Sequence, residues 1–296
     1  MFQHILVPLD GSKLAEVVVP YAQALAARMQ ASITLLQVVP PPHEVRPSVG
    51  LNPEATAHSY LGAVQAHLHP VGLTVEIVTR AGLPADVIVD YAAESGADLI
   101  AMSTHGRSGL SRWVYGSVAD KVLQGAEVPV LLIRASQADM EAEPPARVVD
   151  YQRILIPLDG SALAEGALPY AEALATHFGA HLILVQVPVL PTYAYASTEL
   201  AYSIEPEMNA ATNEATAYLA NLAARLVQRG LSVESVVEWG AVAETIIDYA
   251  QGHGVGLIVM STHGRSGLGR WVYGSVANRV LCGADVPVLL VRATLT

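Results

Sequence analysis

Residues 103–119 read STHGRSGLSRWVYGSVA, and residues 261–277 read STHGRSGLGRWVYGSVA. Each copy continues from a short apolar run, LIAM at 99–102 and LIVM at 257–260, which has the length and character of a buried strand. Each copy also leads into a stretch of helical period, with the helix start expected near Tyr115 or Gly116. The string is therefore a strand-to-helix connection at the carboxyl edge of a sheet. Anions bind at such corners, because unpaired backbone N–H groups and the positive end of the helix dipole converge there. Gly106 and Gly109 permit φ > 0 and close approach of a ligand, Gly116 lets the helix start come near a phosphate, and Ser117 adds a hydroxyl donor. The corner reads as a polyphosphate cradle. No G-x-x-x-x-G-K-[ST] occurs in the chain, so backbone groups, Ser117 and Arg107 or Arg112 must carry the ligand's charge, with a divalent cation able to share it.

Working outward, the duplication extends over the chain. ILVPLDGSKLAE begins at Ile5 and ILIPLDGSALAE at Ile154, an offset of 149, whereas the glycine-rich strings lie 158 apart. The second half has therefore gained nine residues between these blocks. They fall most naturally in VPVLPTYAYASTELAYSIEP, residues 187–206, which reads as a variable loop. From Ser103 to Ala135 against Ser261 to Ala293, six of 33 positions differ, while the regions after the second strands scarcely match. One ligand or one packing role would constrain both copies in this way. SQADMEAEPPARVVD, near residues 136–150, is acidic and contains Pro without helical or alternating period, the character of a linker. Domains at 1–136 and 150–296 follow.

Within the first half, strand-length runs at HILVPL, SITLLQVV, TVEIVTR, DLIAMS and VPVLLIR alternate with helical stretches near 13–29, 54–69, 84–94 and 115–124. That alternation is the pattern of a parallel sheet with crossover helices, a doubly wound α/β fold in each half. Covering both faces of such a sheet with right-handed crossovers requires one reversal of direction, and ligands lie in the crevice that the reversal opens. At the end of the first strand stands VPLDGS, where Asp10 can accept hydrogen bonds from a ribose or base and Pro8 can fix the strand end. Asp159 and Pro157 reproduce both. The second strands end near Val38 and Val187, which offer apolar contact and backbone groups to a purine edge.

Composition excludes other classes. The chain has 296 residues, 52% hydrophobic and 15% charged, enough to bury a core in each half. Sixteen Lys and Arg against a net charge of −11 argue against a surface built to neutralise nucleic-acid backbones. The single Cys282 excludes an intramolecular disulfide and fits a reducing compartment. There is no basic, apolar leader and no apolar run of about 18 residues, so no membrane partner and a soluble, cytoplasmic protein are expected.

These residues in this order resemble the universal stress protein family, whose ATP-binding members carry G-x-x-G, nine residues, then G-[ST] after a strand ending in Met. Here Met102 precedes Ser103, Gly106 and Arg107 follow, and Gly116, Ser117 and Val118 close the motif. Met260, Ser261, Gly264, Arg265, Gly267, Gly274, Ser275 and Val276 match in the second half. The resemblance implies two tandem Rossmann-like domains, each a five-stranded parallel sheet of order 3-2-1-4-5, with ATP over the loop and Mg2+ held mainly by its phosphates. It also implies an intramolecular pseudo-dimer through the fifth strands VPVLLIR and VPVLLVR, with pairing of tandem chains open. In this chain the first glycine of the motif is Ser103 in one copy and Ser261 in the other, which matters if that position needs φ > 0 or contact without a Cβ.

Other readings stay open at this point. Asp10 followed by Gly and Ser is also ordinary turn and helix-cap chemistry. His105 and His263 read as surface donors beside a turn, no residues stand at metal-ligand spacing, and no catalytic residue is evident. The function implied is a nucleotide-dependent regulator of a stress response. A slow ATPase and a nucleotide-free scaffold of the same fold are the alternatives.

Overall fold

A computed structural model describes residues 1–41, 52–68, 72–104, 116–135, 149–189, 204–263 and 274–293. Two compact units divide these residues. The first is Met1–Val149 with the segment Pro287–Arg292, and the second contains Asp150–Thr262 and the helix within Tyr273–Val286.

In the first unit the chain runs β1 (His4–Pro8), α1 (Lys13–Glu16), α2 (Val19–Met29), β2 (Ser32–Val39), α3 (Pro53–Leu68), β3 (Val75–Ala81), α4 (Pro84–Ser95), β4 (Leu99–Ser103), α5 (Ser117–Gly125) and β5 (Val130–Ile133). The strands stand in the order β3-β2-β1-β4-β5 and every neighbouring pair is parallel, as expected. β4 and β5 are buried along their whole length, and Ile5, Leu6 and Val7 of β1 have no exposed surface. Strands covered on both faces must be near-continuous apolar runs, which is why segments such as LIAM and VLLI alternate with amphipathic helices here. The segment Pro287–Arg292 adds a further strand that lies antiparallel to β5, pairing Val288 with Leu132 and Leu290 with Val130.

The second unit repeats the plan with β6 (Arg153–Leu158), α6 (Ala162–Glu165), α7 (Leu168–Phe178), β7 (His181–Gln186), α8 (Ile204–Gln228), β8 (Ser232–Val237), α9 (Val242–Gly252), β9 (Leu257–His263) and α10 (Ser275–Gly283). β6 pairs in parallel with β7 and β9, and β7 with β8.

Two local features depart from the sequence expectation. The helix expected over 13–29 is broken, because Pro20 has no N–H to donate and its ring would strike the carbonyl of Glu16; α1 ends there and α2 restarts with Pro20 in its first turn. Pro169 breaks α6 from α7 in the same way. The stretch 187–206, read as loop, is helical at its end: α8 starts at Ile204, whereas the counterpart of Pro53 at the 158 offset is residue 211. Much of the insertion therefore lengthens a helix. Its Thr212 hydroxyl accepts a hydrogen bond from Trp239 Nε1 at 3.1 Å, beyond the end of β8.

What positions the site is the gap between β1 and β4. β1 pairs with β2 through Pro8, but with β4 only at Ile5 and Leu6. Leu9 N–H donates to Leu36 O at 2.8 Å, so alternation along the strand turns the nitrogen of Pro8 toward β4. Proline has no hydrogen there, and the β1–β4 ladder stops. The two strand ends separate at the point where the sheet changes direction.

Candidate functional site

Asp10 follows directly on that gap. Its Oδ1 accepts from Ser12 N–H at 2.9 Å and from the Ser12 hydroxyl at 2.6 Å, while Ser12 Oγ accepts from Ala15 N–H at 3.2 Å. Gly11, at φ 83°, makes the bend possible. Asp159 does the same for Ser161 at 2.9 and 2.6 Å, Ser161 Oγ accepts from Ala164 N–H at 3.1 Å, and Gly160 also lies at φ 83°. Of the two readings the sequence left open for Asp10, the turn-and-cap role is thus present in both halves. It engages Oδ1 of each carboxylate.

On the other side of the gap, Met102 and Met260 are buried, each 6% exposed. Ser103 and Ser261 lie in β4 and β9, and among the described residues Gln30 alone combines a side chain with positive φ. The serine in place of the motif's first glycine therefore brings no backbone strain. Ser261 Oγ donates to Leu163 O at 2.6 Å, which ties β9 to α6. Val38 is half-buried and Val187 is buried at the ends of the second strands.

Gly116 stands at the start of α5. Its φ of −57° and ψ of 141° are open to any residue, so the glycine is not there for backbone freedom. Its N–H donates to Thr104 O at 2.9 Å, and an added Cβ would stand 3.3 Å from the same oxygen. The glycine thus lets the helix start sit close against the strand end. Being the N-cap of α5, it supplies no side-chain cap; Gly274, at φ −57° and ψ 146°, leaves α10 in the same condition. Ordinarily Ser, Thr, Asp or Asn satisfies a first-turn amide, as Ser12 and Ser161 do for α1 and α6. At α5, among the described residues, the amides of Ser117 and Val118 have no such partner, and Ser117 is exposed. The two helix starts differ in one charge. Asp120 lies in the first turn of α5, where it accepts from Gln124 Nε2 at 2.8 Å, while Asn278 occupies the same place in α10. Gly106, Arg107, Gly109, Gly264, Arg265 and Gly267 lie outside the described residues.

Three polar groups at this edge were not singled out from the sequence. Gln37 and Gln186, one residue before Val38 and Val187, each have a buried Oε1 without a hydrogen-bond partner, and so does the hydroxyl of Thr262. The glutamines had one signal, recurrence at the 149 offset inside otherwise apolar strands. Tyr218 on α8 was also missed. Its hydroxyl donates to Glu165 Oε1 at 3.1 Å, and burial first, then the charges of Glu165 and Asp159, hold its pKa well above the ordinary 10.0. Among the described residues, no group of three His, Cys, Asp or Glu could hold a metal ion, and no helix is long and apolar enough to cross a membrane.

Comparison with known proteins agrees with this plan. The family model described as the universal stress protein family matches the chain twice, over residues 1–134 and 150–292. A universal stress protein of Mycobacterium tuberculosis (strain H37Rv) is 27% identical over 304 residues, which covers 98% of this chain and 97% of its own length. One from Methanocaldococcus jannaschii is 30% identical over 145 residues, 45% of this chain and 83% of its own. Among solved structures, a universal stress protein from Archaeoglobus fulgidus DSM 4304 is similar with a TM-score of 0.74 at 21% identity, covering 98% of each chain, a likeness of fold.

Proposed function

The chain belongs to the universal stress protein family over both halves, and on that footing we propose that each half holds one ATP at the β1–β4 or β6–β9 edge and that the protein acts through nucleotide occupancy. The observation that carries this reading is the pair of glycine N-caps. Gly116 and Gly274 each leave a helix start with amides that, among the described residues, no cap side chain meets, at the corner where the family's ATP-binding members carry their phosphate motif. The amides of Ser117 and Val118, with the Ser117 hydroxyl, are of the right chemistry for a triphosphate, and Ser275 and Val276 repeat them. Arg107 and Arg265 would add positive charge to the same ligand. Asp10 and Asp159 would accept from the ribose hydroxyls while keeping their turns, and Val38 and Val187 would flank the base. Bound ATP would bring Mg2+ with it, coordinated mainly by phosphate oxygens. All these groups bind and orient; the output assigned to them is a change in conformation or partner with occupancy, in keeping with a regulator of a stress response. Each half is proposed as one domain, 1–136 and 150–296, and the two as a pseudo-dimer joined through their apolar fifth strands.

Isothermal titration of the full chain with ATP and MgCl2 tests the reading. Two saturable sites are expected, and heats no different from buffer would refute it.

A further inference from the structure

One run of hydrogen bonds ties the end of β9 to the Asp159 turn. Among the described residues the register of β6 with β9 ends at Leu155 and Ile258, and Ser261 stands beyond that point in β9. Its hydroxyl donates to Leu163 O at 2.6 Å. The peptide group to which this carbonyl belongs carries the N–H of Ala164, which donates to Ser161 Oγ at 3.1 Å, and the Ser161 hydroxyl donates to Asp159 Oδ1 at 2.6 Å. Every donor in the run points the same way, from β9 through α6 to the carboxylate. A peptide group bonded at both its oxygen and its hydrogen is polarised, so each bond strengthens the next. The fold does not depend on the first link, because Leu163 O also accepts from Gly166 N–H at 3.1 Å and keeps that donor without Ser261. Asp159 itself is exposed, and an exposed carboxylate samples several orientations unless its neighbours hold it.

We infer that Ser261 is a positioning residue of the second nucleotide site, acting through this run to hold the Asp159 carboxylate in place for the sugar hydroxyls of a ribonucleotide. The inference rests on the nucleotide reading above and deepens it. Serine stands here where the motif has its first glycine, and glycine has no hydroxyl with which to begin the run. With serine, α6 is fastened to the strand end across the gap, and the turn that Ser161 shares with Asp159 is fastened with it. Ordering an acceptor before its ligand arrives lowers the cost of binding. The ligand that gains is one whose sugar carries hydroxyls, whereas a sugar without them gains nothing from a held carboxylate.

The test is calorimetric titration of the full chain with ATP and with 2′,3′-dideoxy-ATP, each with MgCl2, for wild type, Ser261→Ala, Ser261→Gly and Ser261→Thr. The alanine and glycine variants should bind ATP about three- to tenfold more weakly at one of two sites, the loss of one hydrogen bond's worth of ordering, while dideoxy-ATP affinity stays within about twofold. Threonine keeps the hydroxyl and suits a strand, so it should restore ATP binding to within about twofold of wild type. In an Asp159→Ala background, Ser261→Ala should cost nothing further, because the group it positions is gone. Glycine, the residue of the family motif, keeps the test available if alanine disturbs the strand end. Equal weakening of both nucleotides, a further loss in the Asp159→Ala background, or alanine and glycine variants that bind ATP as wild type does would each overturn the inference while leaving the nucleotide site in place. A wild type that binds neither nucleotide refutes the site and the inference together.

Discussion

Replacing Ser117 by proline isolates the group on which the ligand reading depends. Ser117 is the first residue of α5, a position where proline is well tolerated because the missing N–H has no intrahelical acceptor. The preceding Gly116 has ψ 141°, inside the range that a residue before proline prefers, and Ser117 is exposed, so the ring meets no packed neighbour. The substitution therefore deletes one amide proton and one hydroxyl and leaves the helix intact. If that amide donates to a phosphate oxygen, its loss removes a charge-assisted hydrogen bond of about 1.5–3 kcal/mol, or roughly a 10- to 150-fold weaker ATP affinity at that site. The apo protein should move the other way. Proline lowers the entropy of the unfolded chain by about 0.4–1 kcal/mol at a compatible position, which corresponds to an unchanged or slightly higher Tm, by about 1–4 °C. Ser275→Pro does the same for α10, whose cap Gly274 has ψ 146°. Ser117→Ala and Ser275→Ala keep the amides and serve as controls for the hydroxyl. Titration calorimetry gives the affinity and differential scanning calorimetry the stability. A double proline variant that binds ATP as wild type does, with Tm undiminished, would refute the claim that these amides hold the phosphates.

Other expectations follow from the differences between the halves and from the tightest packing. Asp120→Asn should strengthen ATP binding at the first site about two- to fivefold, since a carboxylate in the first helical turn opposes a phosphate where Asn278 does not; Asn278→Asp should weaken the second site equally, both read by calorimetry. Gly256→Ala should destabilise the second unit by about 1–3 kcal/mol or more, because an added Cβ overlaps the backbone carbonyl of Asp150, whereas Gly252→Ala, with open space around it in α9, should stabilise by about 0.5–1 kcal/mol; thermal unfolding of the two variants decides. Tyr91, Tyr218 and Tyr249 all ionise above the ordinary 10.0, burial being the largest cause in each. Their folded pKa is raised, so their contribution to stability is complete below pH 10 and is lost as pH rises through the folded values. Ultraviolet titration of phenolate should show late-ionising tyrosines that merge with the rest on unfolding, and Tyr218→Phe should flatten the fall of stability above pH 10.

The doubly wound fold and the duplication were legible because strand-length apolar runs alternate with helical stretches and because VPLDGS and the glycine-rich string recur in order. What the sequence hid is tertiary or local. The apolar stripe of Ala15, Val18, Val19 and Ala22 runs straight through Pro20, so periodicity alone predicts one helix where the missing amide makes two. The insertion in the second half contains tyrosines and Pro191 and reads as loop, yet from Ile204 it has helix formers, and Thr212 is held by Trp239, a residue whose counterpart in the first half is Ala81. Gly116 was readable as a glycine near a helix start, but its reason is the carbonyl of Thr104 at the end of a strand twelve residues earlier, a contact that spacing does not reveal. Gln37 and Gln186 recur at the 149 offset, but that their oxygens are buried and unmet is a tertiary fact that recurrence does not reveal.

Pro8 and Pro157 stand within β1 and β6. Proline removes a ladder hydrogen bond and belongs on edge strands, yet β1 and β6 are central, with a neighbour on either side. The violation is local and directional. Along β1 the donors alternate between neighbours, Leu9 N–H points at β2, and the position without a donor is the one that faces β4. A valine there would extend the β1–β4 pairing by a step and draw the two strand ends together. With proline the pairing ends at Leu6 and Ile100, so Asp10 and the contact of Gly116 N–H with Thr104 O stand on either side of a gap. The break in the rule for strands thus falls at the switch point, where a sheet-forming sequence accepts one lost hydrogen bond at the position from which folds of this class open a ligand crevice.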